Sequence, residues 1–177
     1  NFLNKIQASD PEASDNFGWS VAVSDTRIVV GALYEDTTAT SAGSAYIYDI
    51  DGNFLTKIQA SDPQADDYFG YSVAVSDTRI IVSAPNEDTT ASYAGSAYIY
   101  DIDGDFLTKI QASDPEAEDN FGNSVAVSDS RIVVGALSED TTATDAGSAY
   151  IFYDVVTTNT LPHPAVTSVQ GQIDTQY

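Results

Sequence analysis

The sequence predicts an all-β protein made of β-propeller blades, and three observations carry this prediction. First, the chain of 177 residues repeats with a period of 52 residues, most clearly in the pairs Phe17-Gly18, Phe69-Gly70 and Phe121-Gly122. Second, each repeat holds four short segments rich in β-branched and aromatic residues. Third, no stretch shows a sustained helical period. Four antiparallel strands in a repeat of this length match the blade of a propeller.

The repeats are close copies of one another. Residues 1–52 and 53–104 differ at 11 of 52 positions, and residues 105–156 continue the pattern. Such copies are expected to make nearly the same contacts with their neighbours. A β-solenoid is the alternative architecture, and its coils are usually shorter than this repeat.

Four strands are predicted in the middle repeat, in the order 54–60, 70–76, 79–84 and 96–101. Turn-forming residues bound each of them. The second and third strands are joined tightly by Asp77-Thr78, and Asp103-Gly104 after the fourth strand is a strong hairpin signal. The fourth strand therefore turns directly into the first strand of the following repeat.

Within each repeat, three segments carry a family resemblance. In the first repeat these are 17–23 (FGWSVAV), 28–33 (IVVGAL) and 43–48 (GSAYIY). This pattern resembles the FG-GAP repeat of integrin α-subunit propellers and their microbial relatives, and all three repeats carry it. The resemblance implies a propeller fold and points to adhesion, whereas one fold can host many different sites.

The number of blades departs from this family. Its propellers typically close with about seven blades, whereas the sequence contains three repeats. We therefore expect a larger propeller, completed either by other parts of the same polypeptide or by other copies of the chain. A single large ring cut from a longer protein is the alternative to assembly between copies.

Both ends of the chain favour an exchanged strand. Residues 1–8 have no preceding strands in their own repeat, so they are predicted to complete the sheet of a different blade. At the other end, the hairpin signal is lost after Tyr153, and residues 157–177 are predicted to be an irregular tail or linker. Pro162 and Pro164 there cannot donate ladder hydrogen bonds. We expect a homo-oligomer or polymer formed by strand exchange or blade stacking, because an open edge invites association.

Composition excludes several classes of function. Asp and Glu total 27 against 6 Lys and Arg, which gives a net charge of -21 and argues against nucleic acid and anionic membrane surfaces as partners. No apolar run is long enough to insert into a bilayer. Without cysteine, and with His163 as the single histidine, thiolate and multi-histidine metal sites are excluded. The carboxylate pairs recur in every repeat, whereas catalytic sites are singular, so an enzyme is not expected.

Acidic residues concentrate in the long loops, which should share one face of the blades. The aspartates predicted as candidate cation ligands are Asp10, Asp15 and Asp36, then Asp62, Asp67 and Asp88, then Asp114, Asp119 and Asp140. Glu35, Glu87 and Glu139 accompany them. Hard oxygen ligands suit Ca²⁺, which is the predicted cofactor. The alternative is that these carboxylates cap turns. The aspartate-rich calcium loop that the resemblance implies cannot be carried over, because the corresponding connection, 24–27, is too short.

Aromatic residues occupy several of the positions that vary between the copies. Those predicted to form a face for a ligand or partner are Trp19, Tyr71, Tyr34 and Tyr93. Exposed aromatics beside acidic loops are suited to contact a glycan or a surface protein, and relaxed packing explains the same variation. The sequence thus predicts a noncatalytic, structural or adhesive module secreted to the extracellular space or cell surface. The alternative is a carbohydrate-binding, lectin-like propeller.

Overall fold

The protein consists of antiparallel β-sheets that follow one another along the chain. The structure is a computed structural model and describes residues 2–153. Blade 1 contains β1 (Ser20–Val23), β2 (Arg27–Ala32), β3 (Ser44–Asp49) and β4 (Phe54–Ile58). Blade 2 contains β5 (Val73–Val75), β6 (Arg79–Ala84), β7 (Ser96–Asp101) and β8 (Phe106–Ile110). Blade 3 contains β9 (Phe121–Val127), β10 (Arg131–Ala136) and β11 (Ser148–Tyr153).

The predicted fold class is confirmed. Each sheet pairs its strands in chain order, the described residues contain no helix, and the sheets do not close into a ring. β6 and β7 have the predicted bounds, whereas the predicted strand 70–76 is paired only over Val73–Val75. Gly70 adopts a φ of 91° and approaches the carbonyl oxygen of Ser44 closely, and the chain turns here, with the N–H of Tyr71 donating to the carbonyl of Tyr68 at 3.0 Å.

Each complete blade takes its fourth strand from the following repeat. β4 belongs to residues 53–104 and pairs with β3, and β8 belongs to residues 105–156 and pairs with β7. Blade 3 has three strands within the described residues, and its continuation at 154–156, with the predicted tail 157–177, lies outside them. The first repeat begins with the same sequence pattern as β4, yet residues 2–6 form no strand in this chain.

The core lies between successive blades. Val29 and Ile47 of blade 1 belong to one cluster with Ile80 and Val82 of blade 2, and Phe69 lies in it, fully buried. The next junction repeats the arrangement, with Phe121 in the place of Phe69. Burial of these apolar side chains on both faces of blade 2 supplies the main stabilisation of the array.

Backbone hydrogen bonds also join neighbouring blades. The N–H group of Phe69 donates to the carbonyl of Ala42 at 2.8 Å, and that of Phe121 donates to the carbonyl of Ala94 at 2.9 Å. Each junction therefore combines an apolar core with a fixed loop contact.

Tight turns and long loops lie at opposite edges of the blades. The turns 24–26 and 50–53 join strands at one edge, whereas 33–43 and 59–72 connect strands at the other. Because consecutive strands are antiparallel, alternate connections emerge on the same side. The predicted grouping of the long acidic loops on one face is confirmed.

Candidate functional site

The acidic face is organised around a lysine on the fourth strand of a blade. In blade 1, Nζ of Lys57 lies 2.8 Å from Oδ2 of Asp10 and 2.8 Å from Oε1 of Glu35. The same ammonium group lies 5.5 Å from the ring centroid of Tyr46. β4 supplies the lysine, the loop after β2 supplies the glutamate, and the segment before β1 supplies the aspartate. Three separate parts of the chain are joined by one cation.

Glu35 is buried but well satisfied. It accepts hydrogen bonds from Oγ of Ser44 at 2.5 Å and from Nε2 of Gln59 at 3.2 Å, and Thr37 also donates to it. Burial on its own raises the pKa of this carboxyl, but the hydrogen bonds from Lys57, Ser44 and Thr37 outweigh it and lower the pKa below its ordinary value. The carboxylate is therefore held ionised.

Blade 2 repeats this cluster. Nζ of Lys109 lies 2.8 Å from Asp62 and 3.0 Å from Glu87, and Ser96 donates to Glu87 at 2.7 Å. Burial favours a raised pKa for Glu87, but hydrogen bonds from Thr89, Ser96 and Lys109 lower it. The two clusters show that the lysine is part of the repeated design.

Blade 3 has the acids without the lysine. Ser148 donates to Glu139 at 2.5 Å and Tyr150 donates to Asp114 at 2.8 Å, as in the other two copies. Among residues 2–153, no lysine or arginine forms an ion pair with either acid. The position 52 residues after Lys109 in the sequence is Leu161. We call Asp114, Glu139, Ser148 and Tyr150 the open acidic cluster.

The converse holds at the start of the chain. Lys5 occupies the position 52 residues before Lys57, yet its side chain is exposed and makes no ion pair with any described residue. The lysines at this spacing are visible in the sequence, but their role is not, because it depends on the pairing of β4 with β3.

A second set of predicted ligands caps turns. Asp15, Asp67 and Asp119 are buried, and each accepts a hydrogen bond from the backbone N–H of a residue three positions earlier, at 2.7–2.8 Å. Burial, together with the nearby charges of Glu87, Asp88 and Asp62, raises the pKa of Asp67 to about 6, although the Gln64 N–H opposes this shift. The capping alternative fits this geometry.

The remaining predicted ligands, Asp36, Asp88 and Asp140, lie exposed in the loops after the second strands. Within the described part of the chain, no three acidic or histidine side chains are grouped so that they could hold a metal ion. The nine aspartates and calcium therefore stay predictions, and His163 lies outside the described residues.

The predicted aromatic face is divided into separate contacts. Trp19 and Tyr71 lie with ring centroids 5.9 Å apart across the junction of blades 1 and 2. Tyr34 instead contacts Tyr68, at 5.3 Å and nearly perpendicular, a partner that the sequence analysis missed. Tyr93 is exposed. Tyr68 varies between the copies in the same way, with Asn16 and Asn120 at the equivalent positions, and this signal could have identified it.

A family model described as FG-GAP repeat matches residues 1–48, 53–100 and 105–152. A search of curated proteins found no match. In the described part of the chain, no helix is long and apolar enough to cross a membrane.

Proposed function

Because the chain belongs to the FG-GAP repeat family, we propose that it is a noncatalytic, extracellular structural module that assembles through the edges of its blades. The repeats of this family form β-propeller modules that are often extracellular and adhesive, and the family is generally noncatalytic. For this chain in particular, we propose an extracellular location and assembly through the blade edges.

The outer edge of blade 3 is the observation that carries the proposal. In blades 1 and 2 the third strand is covered by β4 and β8, whereas the equivalent strand β11 has no partner on that side within the described residues. An open strand presents unpaired N–H and C=O groups, which favour pairing with another strand. Phe2 and Leu3, which match the start of β4 in sequence, are at the same time largely exposed and belong to no strand.

A proline variant tests assembly without touching the described sheets. Residues 2–6 form no strand in the single chain, so Asn4→Pro/Lys5→Pro should leave the monomer folded. Adjacent N–H groups of a strand point to opposite sides, so one of the two prolines must remove a donor that strand addition requires. By light scattering we expect the native chain to exceed 18.8 kDa and the variant to fall to that mass, with an unchanged circular dichroism spectrum. A native chain that stays monomeric contradicts the proposal.

Carbohydrate binding is the second candidate, and the Trp19–Tyr71 contact supports it. Trp19 is half exposed, and its ring and that of Tyr71 are tilted by 52°. A sugar ring can stack on such a surface. Glycan-array binding by the native chain that is lost in Trp19→Ala, and kept in the equally peripheral Tyr93→Ala, supports this function. Absence of binding to any glycan rejects it.

A further inference from the structure

We propose that a second copy of this chain completes blade 3. Residues 2–6 of that copy would pair with β11 in the register that β4 uses on β3, which places its Lys5 between Asp114 and Glu139. This inference rests on the proposed assembly and names its partner, its contact and its copy number.

Charge complementarity supports this occupant. The clusters of blades 1 and 2 each hold two acids and one lysine, with Nζ to carboxylate distances of 2.8–3.0 Å. The open acidic cluster keeps the two acids, and the chain start keeps a lysine that pairs with no described acid. The internal copies therefore supply a template for the contact, in which Tyr150 would lie opposite Lys5 as Tyr46 lies opposite Lys57.

The face of blade 3 that points away from blade 2 exposes apolar side chains whose equivalents in blades 1 and 2 are buried. Ile47 and Ile99, whose side chains point to the next blade, are 0% and 2% exposed, whereas the equivalent Ile151 is 69% exposed. Leu137 is likewise exposed where Leu33 is buried. Ala42 and Ala94 are buried under the following blade, and Ala146 is exposed. An apolar surface of this kind is a typical site of protein contact.

Residues near the start of the chain are also less buried than their equivalents in blades 2 and 3. Phe69 and Phe121 are fully buried against the preceding blade, whereas Phe17 is only partly buried. Gly70 lies close to the carbonyl of Ser44, and Gly122 close to the carbonyl of Ser96, but the position of a Cβ at Gly18 meets nothing within 4 Å. Within residues 2–153, no blade packs on this side of blade 1, and blade 3 of another copy would provide that neighbour.

The described blades favour two copies. Propellers typically have about four to eight blades, and residues 2–153 of each copy supply three. The described residues of two copies together supply six blades, which is within this range. A head-to-tail contact that closes after two copies forms a ring with two identical junctions.

Charge reversal with complementation tests the inference. In Lys5→Glu, both junctions of the dimer place a glutamate against Asp114 and Glu139. We expect dimerisation to weaken at least about thirty-fold. Asp114→Lys should weaken it as well, because Lys5 then meets a cation. Thr38→Glu adds negative charge on an exposed loop away from the open acidic cluster and is the control, with dimerisation as in the native chain.

Mixing the two reversed variants should restore the dimer. In the mixed dimer, the glutamate introduced by Lys5→Glu meets the lysine introduced by Asp114→Lys at one junction, and the other junction keeps the native residues. Light scattering should then show twice the chain mass of 18.8 kDa. In a homodimer of either variant, by contrast, like charges face each other at both junctions. Both variants must retain the circular dichroism of the native chain, since the reversed residues are exposed.

The outcomes separate this inference from the proposed function. A native chain that is monomeric rejects both. If the native chain assembles and Lys5→Glu assembles equally well, assembly stands and the Lys5 contact is rejected. Failure of the mixture to dimerise rejects the contact too, and particles larger than two copies reject closure of a six-bladed ring.

Discussion

The two inner junctions and the two ends of this chain are made from nearly the same residues, but they differ in what covers them. At each inner junction a buried phenylalanine, a loop contact and a lysine bridging two acids act together. At the ends the same parts are separated, with Lys5 on one side and Asp114 and Glu139 on the other. Whether the phenylalanine is buried and the acids are paired therefore depends on the presence of a neighbouring blade, and not on the residue types alone. The comparison also predicts that variants will have different effects at equivalent positions.

The largest difference is expected for the phenylalanine of the Phe-Gly pair. Phe69 is fully buried and lies edge-on to Tyr98 at 5.4 Å, so Phe69→Ala should lower the free energy of unfolding by about 3–5 kcal/mol. Phe17→Ala should cost clearly less in the monomer, because that ring is only partly buried. Urea denaturation, at protein concentrations too low for dimerisation, measures the loss in free energy of unfolding for both variants. Equal losses would show that the inner junction is no better packed than the chain start.

The glutamate of the acidic cluster should show the next largest difference. Glu87 is fully buried and paired with Lys109, so Glu87→Gln should cost about 3 kcal/mol by leaving the lysine with one acid fewer. Glu139→Gln removes no ion pair among the described residues of the monomer and should cost less. The same urea measurement compares them, and an equally large loss for Glu139→Gln would contradict the account of the open acidic cluster.

A smaller, pH-dependent effect is expected at Asp67. Its pKa of about 6 lies above the ordinary value of 3.8, so the folded state binds the proton more tightly than the unfolded state. The stability that this proton adds is present below about pH 4 and is lost as the pH rises through 6. Asp67→Asn keeps a side-chain oxygen for the Gln64 N–H and should therefore stabilise the protein by about 1 kcal/mol at pH 7, after screening by solvent.

Thermal melting of both proteins from about pH 4 to about pH 8 checks this prediction. The gain in melting temperature of Asp67→Asn over the native chain should grow across the lower and middle part of this range. A gain in melting temperature that does not change with pH would contradict the prediction, because it would not come from the ionisation of Asp67.

The sequence predicts the blade class well and the contacts between blades poorly, for a physical reason. Strands such as β6 and β7 follow from local composition and from the turns beside them. The pairing of Lys57 with Asp10 and Glu35 joins positions 47 and 22 residues apart. It depends on the register of β4 on β3, which shifts between Ile47 and Tyr48. The turn-capping role of Asp15 and the contact between the Tyr34 and Tyr68 rings likewise depend on how the loops pack.

The phase of the blades is predicted only in part. The hairpin signals and the unpartnered residues 1–8 predict a strand shared between repeats, but a period of 52 residues can be divided at any point, and the strand pairing comes from the structure. The structure shows that the first strand of a repeat is the last strand of the preceding blade. Residues 2–6 therefore match a fourth strand that has no blade before it, and β11 is a third strand without a fourth strand among the described residues.

An engineered disulfide tests the central claim most directly, and the absence of native cysteine makes it selective. Ile47 pairs with Thr56 in blade 1, so Ile151 should face the second copy's Asn4 across the junction. Asn4→Cys/Ile151→Cys should then form a covalent dimer with two disulfides under mild oxidation, since paired strands bring Cα atoms within bonding range. Asn4→Cys/Val21→Cys is the control, because Val21 is 69% exposed, as is Ile151. Cross-linking no faster than in this control would contradict the claim.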